Sequence, residues 1–84
     1  MDQQLYLKYL KDYTLEALDK ADDNVSRAAD YLDKIPKPKF FMKDREEKRA
    51  ALSRVKKVFT SSRERSLFVV LKSLGFDDLA KEKL

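Results

Sequence analysis

The sequence predicts an all-α protein, a compact bundle of four or five short helices that forms one domain over residues 1–84. Apolar residues recur every three to four positions along most of the chain, which is typical of helices rather than strands. Helix-breaking residues are few, and they divide the chain into segments of helical length: Asp22-Asp23-Asn24, Pro36, Pro38, Thr60-Ser61-Ser62 and Gly75. A chain this short buries only about two thirds of its unfolded surface, so we expect modest stability.

The first helix is predicted from Asp2 to Ala21, either unbroken or kinked at Tyr13-Thr14. Its apolar residues come in pairs four residues apart: Leu5 and Tyr6, Tyr9 and Leu10, Tyr13 and Thr14, Ala17 and Leu18. The stripe of Tyr6, Tyr9 and Tyr13 is most simply half-buried against the core. Rigid amphipathic rings also suit an interface, so a homodimer through the first helix is a second interpretation.

The second helix is predicted to begin after Asn24, a good N-cap residue, and to end before Pro36. Its inward positions are Val25, Ala28, Ala29 and Leu32. Residues 36–43 form a proline-containing linker, which we expect to be stiff and extended at its start.

A third helix is predicted from a capping box at Asp44 and Glu47. Its apolar face holds Ala51, Leu52, Val55, Val58 and Phe59. The same signature at Ser61 and Glu64 predicts the start of a fourth helix, with Leu67, Phe68, Val70, Leu71 and Leu74 as its apolar residues. Gly75 would end that helix as a left-handed cap. A last helix is predicted from a cap at Asp77, with Leu79, Ala80 and Leu84 apolar.

Charge is distributed unevenly along the chain. Residues 1–36 carry five basic and eight acidic side chains, a net charge of −3. Residues 37–65 carry eleven basic and four acidic side chains, a net charge of +7, and residues 66–84 carry three of each. The domain therefore has an acidic helical half (1–35), the linker (36–43) and a basic helical half (44–84).

The residue types that are missing exclude several classes of function. The chain has no histidine and no cysteine, which removes the usual nucleophiles, general bases and metal ligands. With one glycine, it cannot build a glycine-rich phosphate loop. We therefore predict no enzymatic activity, no cofactor and no metal. The longest apolar run, residues 67–71, is too short to span a membrane, and the lack of a signal peptide predicts a cytoplasmic protein.

The basic half predicts a docking surface for a protein partner with an acidic surface. Phe40-Phe41-Met42 follows the stiff, proline-containing start of the linker and could anchor that partner, although the simpler expectation is a lid on the core between the second and third helices. The candidate partner-binding residues are Lys37, Lys39, Phe40, Phe41, Met42, Arg45, Arg49, Lys56 and Lys57. A chain of this length also suits a small regulator or inhibitor of the kind that viruses and mobile elements encode.

Two alternatives use the same basic helix, residues 44–60. In the first, Arg45, Arg49, Lys56 and Lys57 contact nucleic-acid phosphates on the face away from the core. The helix has no Asn or Gln for base edges, which disfavours sequence-specific DNA binding. In the second, the helix face is only solvated, and Glu46 and Glu47 partly neutralise it.

The stretch ALDKADDNVSRAADYLDKIP, residues 17–36, resembles the second half of a ubiquitin-associated (UBA) domain, and the likeness extends over residues 14–36. The resemblance implies that Leu18 closes the middle helix of a three-helix unit and that Asn24 caps the last one. It also implies ubiquitin as a partner. UBA domains that hold ubiquitin use a Met-Gly-Phe loop after their first helix, whereas residues 10–14 of this chain contain no glycine.

Overall fold

Five helices and no strands make up the protein in a computed structural model that describes all 84 residues. The helices are α1 (Gln3–Lys20), α2 (Val25–Asp33), α3 (Arg45–Ser61), α4 (Leu67–Ser73) and α5 (Asp77–Glu82). The predicted all-α bundle is therefore confirmed. Helix α3 packs against both α1 and α2, while α4 and α5 pack mainly on each other. No helix has both the length and the apolar character that a membrane span requires.

Helix α1 is one unbroken helix from Gln3 to Lys20, as the first of the two alternatives predicted. The buried Thr14 hydroxyl donates a hydrogen bond to the Leu10 carbonyl at 2.8 Å, which satisfies this polar group inside the helix. The Asp2 side chain caps the N-terminus by accepting from two backbone N–H groups. At the other end Asp22 and Asp23 both have positive φ, and the Asp23 N–H bonds back to the Leu18 carbonyl at 2.9 Å.

Helix α2 begins as predicted, because the Asn24 side chain accepts a hydrogen bond from the Arg27 N–H at 2.9 Å. The four predicted inward positions are all buried: Val25, Ala28, Ala29 and Leu32. Two of them are alanines, which allow α2 to approach its neighbours closely. The helix ends at Asp33, three residues before Pro36.

Two predicted capping signals are wrong and a third is correct only in its position, although all three helices exist. Asp44 is the N-cap residue of α3, as predicted, but its φ is +59° and its side chain makes no capping hydrogen bond. Ser61 belongs to the end of α3, and Ser66 caps α4 instead by accepting from the Val69 N–H. The N-cap of α5 is Phe76 rather than Asp77. Several short polar residues lie near the start of α4 and α5, so sequence spacing alone does not determine which residue is the N-cap.

The core is one cluster of buried apolar side chains to which all five helices contribute. The predicted apolar face of α3 is fully confirmed, and Phe59, the last of its five positions, has no exposed surface. Val70 and Leu71 of α4 and Ala80 of α5 close the cluster from the C-terminal side. Leu84 is not part of it, since it lies beyond α5 and is 86% exposed. Helix α3 thus has one face in the core, and its other faces carry the basic side chains.

Gly75 ends α4 with φ of +87°, as predicted. The Phe76 N–H bonds to the Leu71 carbonyl at 2.9 Å and the Gly75 N–H to the Lys72 carbonyl at 3.0 Å, which is a Schellman motif. No atom lies within 4 Å of where a Cβ would stand, so a side chain would fit sterically and only the backbone conformation disfavours it.

Gly75→Ala is therefore expected to lower the free energy of unfolding by about 1 kcal/mol, because a left-handed backbone is costly for alanine. Urea unfolding followed by circular dichroism measures this change. Gly75→Asn is the matched control and should lose less, since asparagine tolerates the left-handed conformation. An alanine variant as stable as the wild type would contradict this role of Gly75.

Candidate functional site

Phe40 and Phe41 occupy the two central positions of a β-turn that projects from the bundle. The Met42 N–H donates to the Lys39 carbonyl at 3.0 Å and closes the turn, so residues 39–42 are named here the aromatic turn. Phe40 is 84% exposed and Phe41 71% exposed, and their rings meet edge to face with centroids 5.7 Å apart. The Lys39 ammonium lies 5.9 Å from the centre of the Phe41 ring.

The prediction that Phe40-Phe41-Met42 forms a lid on the core is wrong. Ile35 at the end of α2 packs against the core instead. After Pro36 the chain runs without regular structure to the aromatic turn, which leaves both rings in solvent. Apart from Leu84 at the C-terminus, no large apolar side chain is more exposed than these two. Paired exposed aromatic rings are typical anchors of interfaces, because they bury much apolar area at small entropic cost.

Three candidate basic residues share one edge of α3. Arg45, Arg49 and Lys56 are spaced by four and seven residues, which places them along one line on a helix of 3.6 residues per turn. We call this line the basic edge. It borders the buried face of α3, and for this reason Arg45 and Lys56 are half-buried. Arg49, on the same line, is exposed.

Lys57 does not belong to the basic edge. It lies about 100° around the helix from Lys56, away from the basic edge, and both Lys57 and Arg54 are exposed there. The prediction that Arg45, Arg49, Lys56 and Lys57 share the face away from the core is therefore wrong. The basic residues of α3 form two separate sets, and only the basic edge lies on the linker side.

Two acidic residues that could neutralise this region point elsewhere. Asp44 accepts a hydrogen bond from the Tyr9 hydroxyl of α1 at 2.9 Å. Glu47 is 9% exposed, and its carboxylate accepts from the Asp2 backbone N–H at 3.4 Å. Both carboxylates thus face α1, so Glu47 does not balance the outward charge as expected. Glu46 is the remaining acidic side chain on the outer surface of α3.

Most basic side chains of residues 37–65 have no acidic partner. Of the eleven, only Arg63 forms ion pairs, with Asp30 and Asp33 of α2 at 2.9 and 3.8 Å. Its guanidinium also donates to the Ser26 carbonyl and hydroxyl, so Arg63 fastens the loop after α3 to α2. None of the other ten forms an ion pair, so this part of the chain keeps a net positive charge, which attracts anionic groups at low ionic strength.

The linker and the basic edge enclose a shallow cleft of about 260 Å³. We call it the basic cleft; the residues that line it are Lys37, Pro38, Arg49, Leu52, Ser53 and Lys56. Three of the nine candidate residues, Lys37, Arg49 and Lys56, thus meet in one place. The chain brings the aromatic turn next to it, since Phe40 follows Pro38 by two residues and their Cα atoms lie within about 7 Å.

Three lining residues of the basic cleft were not predicted: Pro38, Leu52 and Ser53. Ser53 follows Arg49 by four positions, so the spacing that defines the basic edge could have indicated it. Arg45 has a further unpredicted property, because its Nε is buried and has no hydrogen-bond acceptor within the chain. The structure has no group of acidic residues placed to hold a metal ion.

The three tyrosines of α1 are half-buried and pack against the core, as predicted. The Tyr9 ring also lies beneath two ammonium groups, those of Lys8 at 4.8 Å and Lys48 at 5.3 Å. The exposed apolar side chains of α1 are Leu7 and Leu15. A homodimer through α1 stays a prediction, and it would use these leucines more than the tyrosine stripe.

The hydrogen bond from Tyr9 to Asp44 raises the pKa of Tyr9 above its ordinary value near 10, and burial adds to the effect. In the unfolded chain Tyr9 ionises near pH 10, so the stability from this bond is complete below that pH and is lost as pH rises through the folded pKa. We expect Tyr9→Phe to remove one late ionisation from the tyrosinate absorbance titration of the folded protein.

The control is the same titration in concentrated guanidinium chloride, where both proteins should ionise near pH 10. A folded Tyr9→Phe variant that keeps every late ionisation of the wild type would contradict the bond to Asp44. Tyr13 and Tyr31 contribute the late ionisations that remain, because burial raises the pKa of Tyr13 and a hydrogen bond to Glu16 raises that of Tyr31.

No protein-family model matches the sequence, and neither the curated proteins nor the solved structures contain a significant match.

Proposed function

We propose that this protein is a non-enzymatic docking module that binds an acidic surface of a partner protein through the aromatic turn and the basic edge. The observation that carries the proposal is the exposure of Phe40 and Phe41 at the tip of a turn beside uncompensated positive charge. Desolvated aromatic rings supply affinity, and the surrounding cations supply attraction and orientation. A role as a small regulator or inhibitor in the cytoplasm is compatible with such a module.

A nucleic-acid binder is the second candidate, since bases can stack on exposed rings while cations contact phosphates. Two observations favour a protein partner over it. The Phe40 and Phe41 rings meet edge to face at 85°, so they do not form a parallel platform for successive bases. The cations of α3 are also split between two faces, which leaves no continuous stripe for a phosphate backbone.

The test is affinity purification of the tagged protein from the cell that encodes it, with and without nuclease treatment. We expect a specific protein to be recovered in equal amount in both samples, because the interface depends on protein side chains. A recovered partner that disappears after nuclease treatment would overturn the docking proposal in favour of nucleic acid.

Ubiquitin, which the UBA resemblance of residues 14–36 implies, stays a third prediction. The four apolar positions of α2 that the resemblance uses are all in the core, so a ubiquitin surface would have to come from other residues. Titration of labelled protein with purified ubiquitin tests it directly.

A further inference from the structure

The basic cleft combines features that a merely solvated surface does not need. Its three charged lining residues, Lys37, Arg49 and Lys56, are all cations, and none has a carboxylate within ion-pair distance. They come from two separate segments, the linker and α3, which the fold holds together. Like charges that face one cleft repel each other, so an anion placed between them would relieve that repulsion.

The remaining lining residues indicate what kind of anion fits. Leu52 is 3% exposed and forms an apolar floor, Pro38 forms a wall, and the Ser53 hydroxyl is exposed with no partner in the chain. Guanidinium, ammonium and hydroxyl donors around an apolar floor suit a single oxyanion on a short carbon stem. A carboxylate or phosphoryl group at the end of a side chain has this form.

We propose that the basic cleft receives the carboxylate or phosphoryl group of an acidic side chain, carried by an extended peptide segment of the partner whose apolar neighbour lies on the aromatic turn. This inference rests on the proposed docking function. Charge complementarity selects the anionic group, and the short chain distance between Pro38 and Phe40 requires its apolar neighbour to follow within a few residues. The mode is that of acidic or phosphorylated motifs held by clusters of basic residues.

Backbone-amide NMR titrations test this with three short peptides. All three contain one phenylalanine and differ only at a position three residues away, which is serine, glutamate or phosphoserine. We expect saturable shifts at Arg49, Leu52, Ser53 and Lys56 with an acidic peptide, and roughly tenfold weaker binding of the serine peptide. The glutamate and phosphoserine arms show which of the two anions is preferred.

Matched variants distinguish the effect of the basic cleft on binding from the effect of the net charge of the protein. Arg49→Gln with Lys56→Gln removes two cations from the basic cleft, and Arg54→Gln with Lys57→Gln removes the same two residue types from the opposite side of α3. The first pair of substitutions is expected to weaken binding of the acidic peptide roughly tenfold, and the second pair to change its affinity less than about threefold. Circular dichroism checks that both variants fold.

Four results would overturn the proposal. Equal losses in the two double variants would mean that only net charge matters. Shifts at Phe40 and Phe41 without shifts in the cleft would show that the basic cleft does not bind the peptide, although the proposed docking function would still stand. If an oligothymidylate shifted the cleft amides and bound more tightly than either acidic peptide, the ligand of the cleft would be nucleic acid and not a peptide. Failure of both acidic peptides to shift the cleft amides would also reject it, whatever partner the purification recovers.

Discussion

Replacing both Phe40 and Phe41 with alanine is expected to weaken partner binding by at least about 30-fold, which corresponds to roughly 2 kcal/mol. The rings are 84% and 71% exposed in the unbound protein, so their apolar area is available to a partner. Isothermal titration calorimetry with the purified partner measures the loss. The free energy of unfolding should stay within about 0.5 kcal/mol of the wild type, because neither ring contributes to the core.

Leu84→Ala is the matched control for this variant. Leu84 is 86% exposed, and it lies at the C-terminus rather than on the aromatic turn. We expect the Leu84→Ala variant to bind the partner with the affinity of the wild type. Full affinity in the Phe40→Ala, Phe41→Ala variant would remove the aromatic turn from the interface, and a loss of folding in that variant would show that the rings support the core after all.

Phe59→Ala is expected to lower the free energy of unfolding by about 3 to 5 kcal/mol. Phe59 has no exposed surface and lies on the core face of α3, which packs against both α1 and α2. Domains are stabilised by roughly 0.05 to 0.15 kcal/mol per residue, so a chain of this length could lose most of its stability. Chemical unfolding followed by circular dichroism gives the value.

Phe41→Ala is the control for Phe59→Ala, since it makes the same substitution on the surface. It should change the free energy of unfolding by less than about 0.5 kcal/mol. The two phenylalanines therefore have opposite expected effects: Phe59 on stability and Phe41 on binding. A loss below about 1 kcal/mol for Phe59→Ala would contradict the full burial of this ring in the core.

Helix periodicity predicted the core faces of α2 and α3 correctly. Every apolar position that the spacing assigned to these two faces is buried, because a helix with one apolar stripe turns that stripe toward the bundle. Helix ends were harder to predict. Ser66 and Phe76 precede helices that sequence signals assigned to Ser61 and Asp77, since the cap that forms depends on where packing stops the helix.

The sequence indicated which residues belong to the candidate site but not how they are arranged. The position of Phe40 and Phe41 after the two prolines of the linker identified them as candidate binding residues. Their exposure, however, depends on the path of the chain from Ile35 at the end of α2 through the linker. Asp44 precedes α3 and Glu47 lies in its first turn, but their partners Tyr9 and Asp2 are 35 and 45 residues away. Contacts at such separations leave no local signal in a single sequence.

The dependence of partner affinity on salt tests the docking account most directly. The dissociation constant of the nuclease-treated complex should be measured by calorimetry between about 50 and 200 mM salt. An interface centred on the aromatic turn, with one anion in the basic cleft, predicts a loss of affinity of no more than about tenfold over this range. A loss of about 1,000-fold or more, as for proteins that contact many phosphates, would contradict the account.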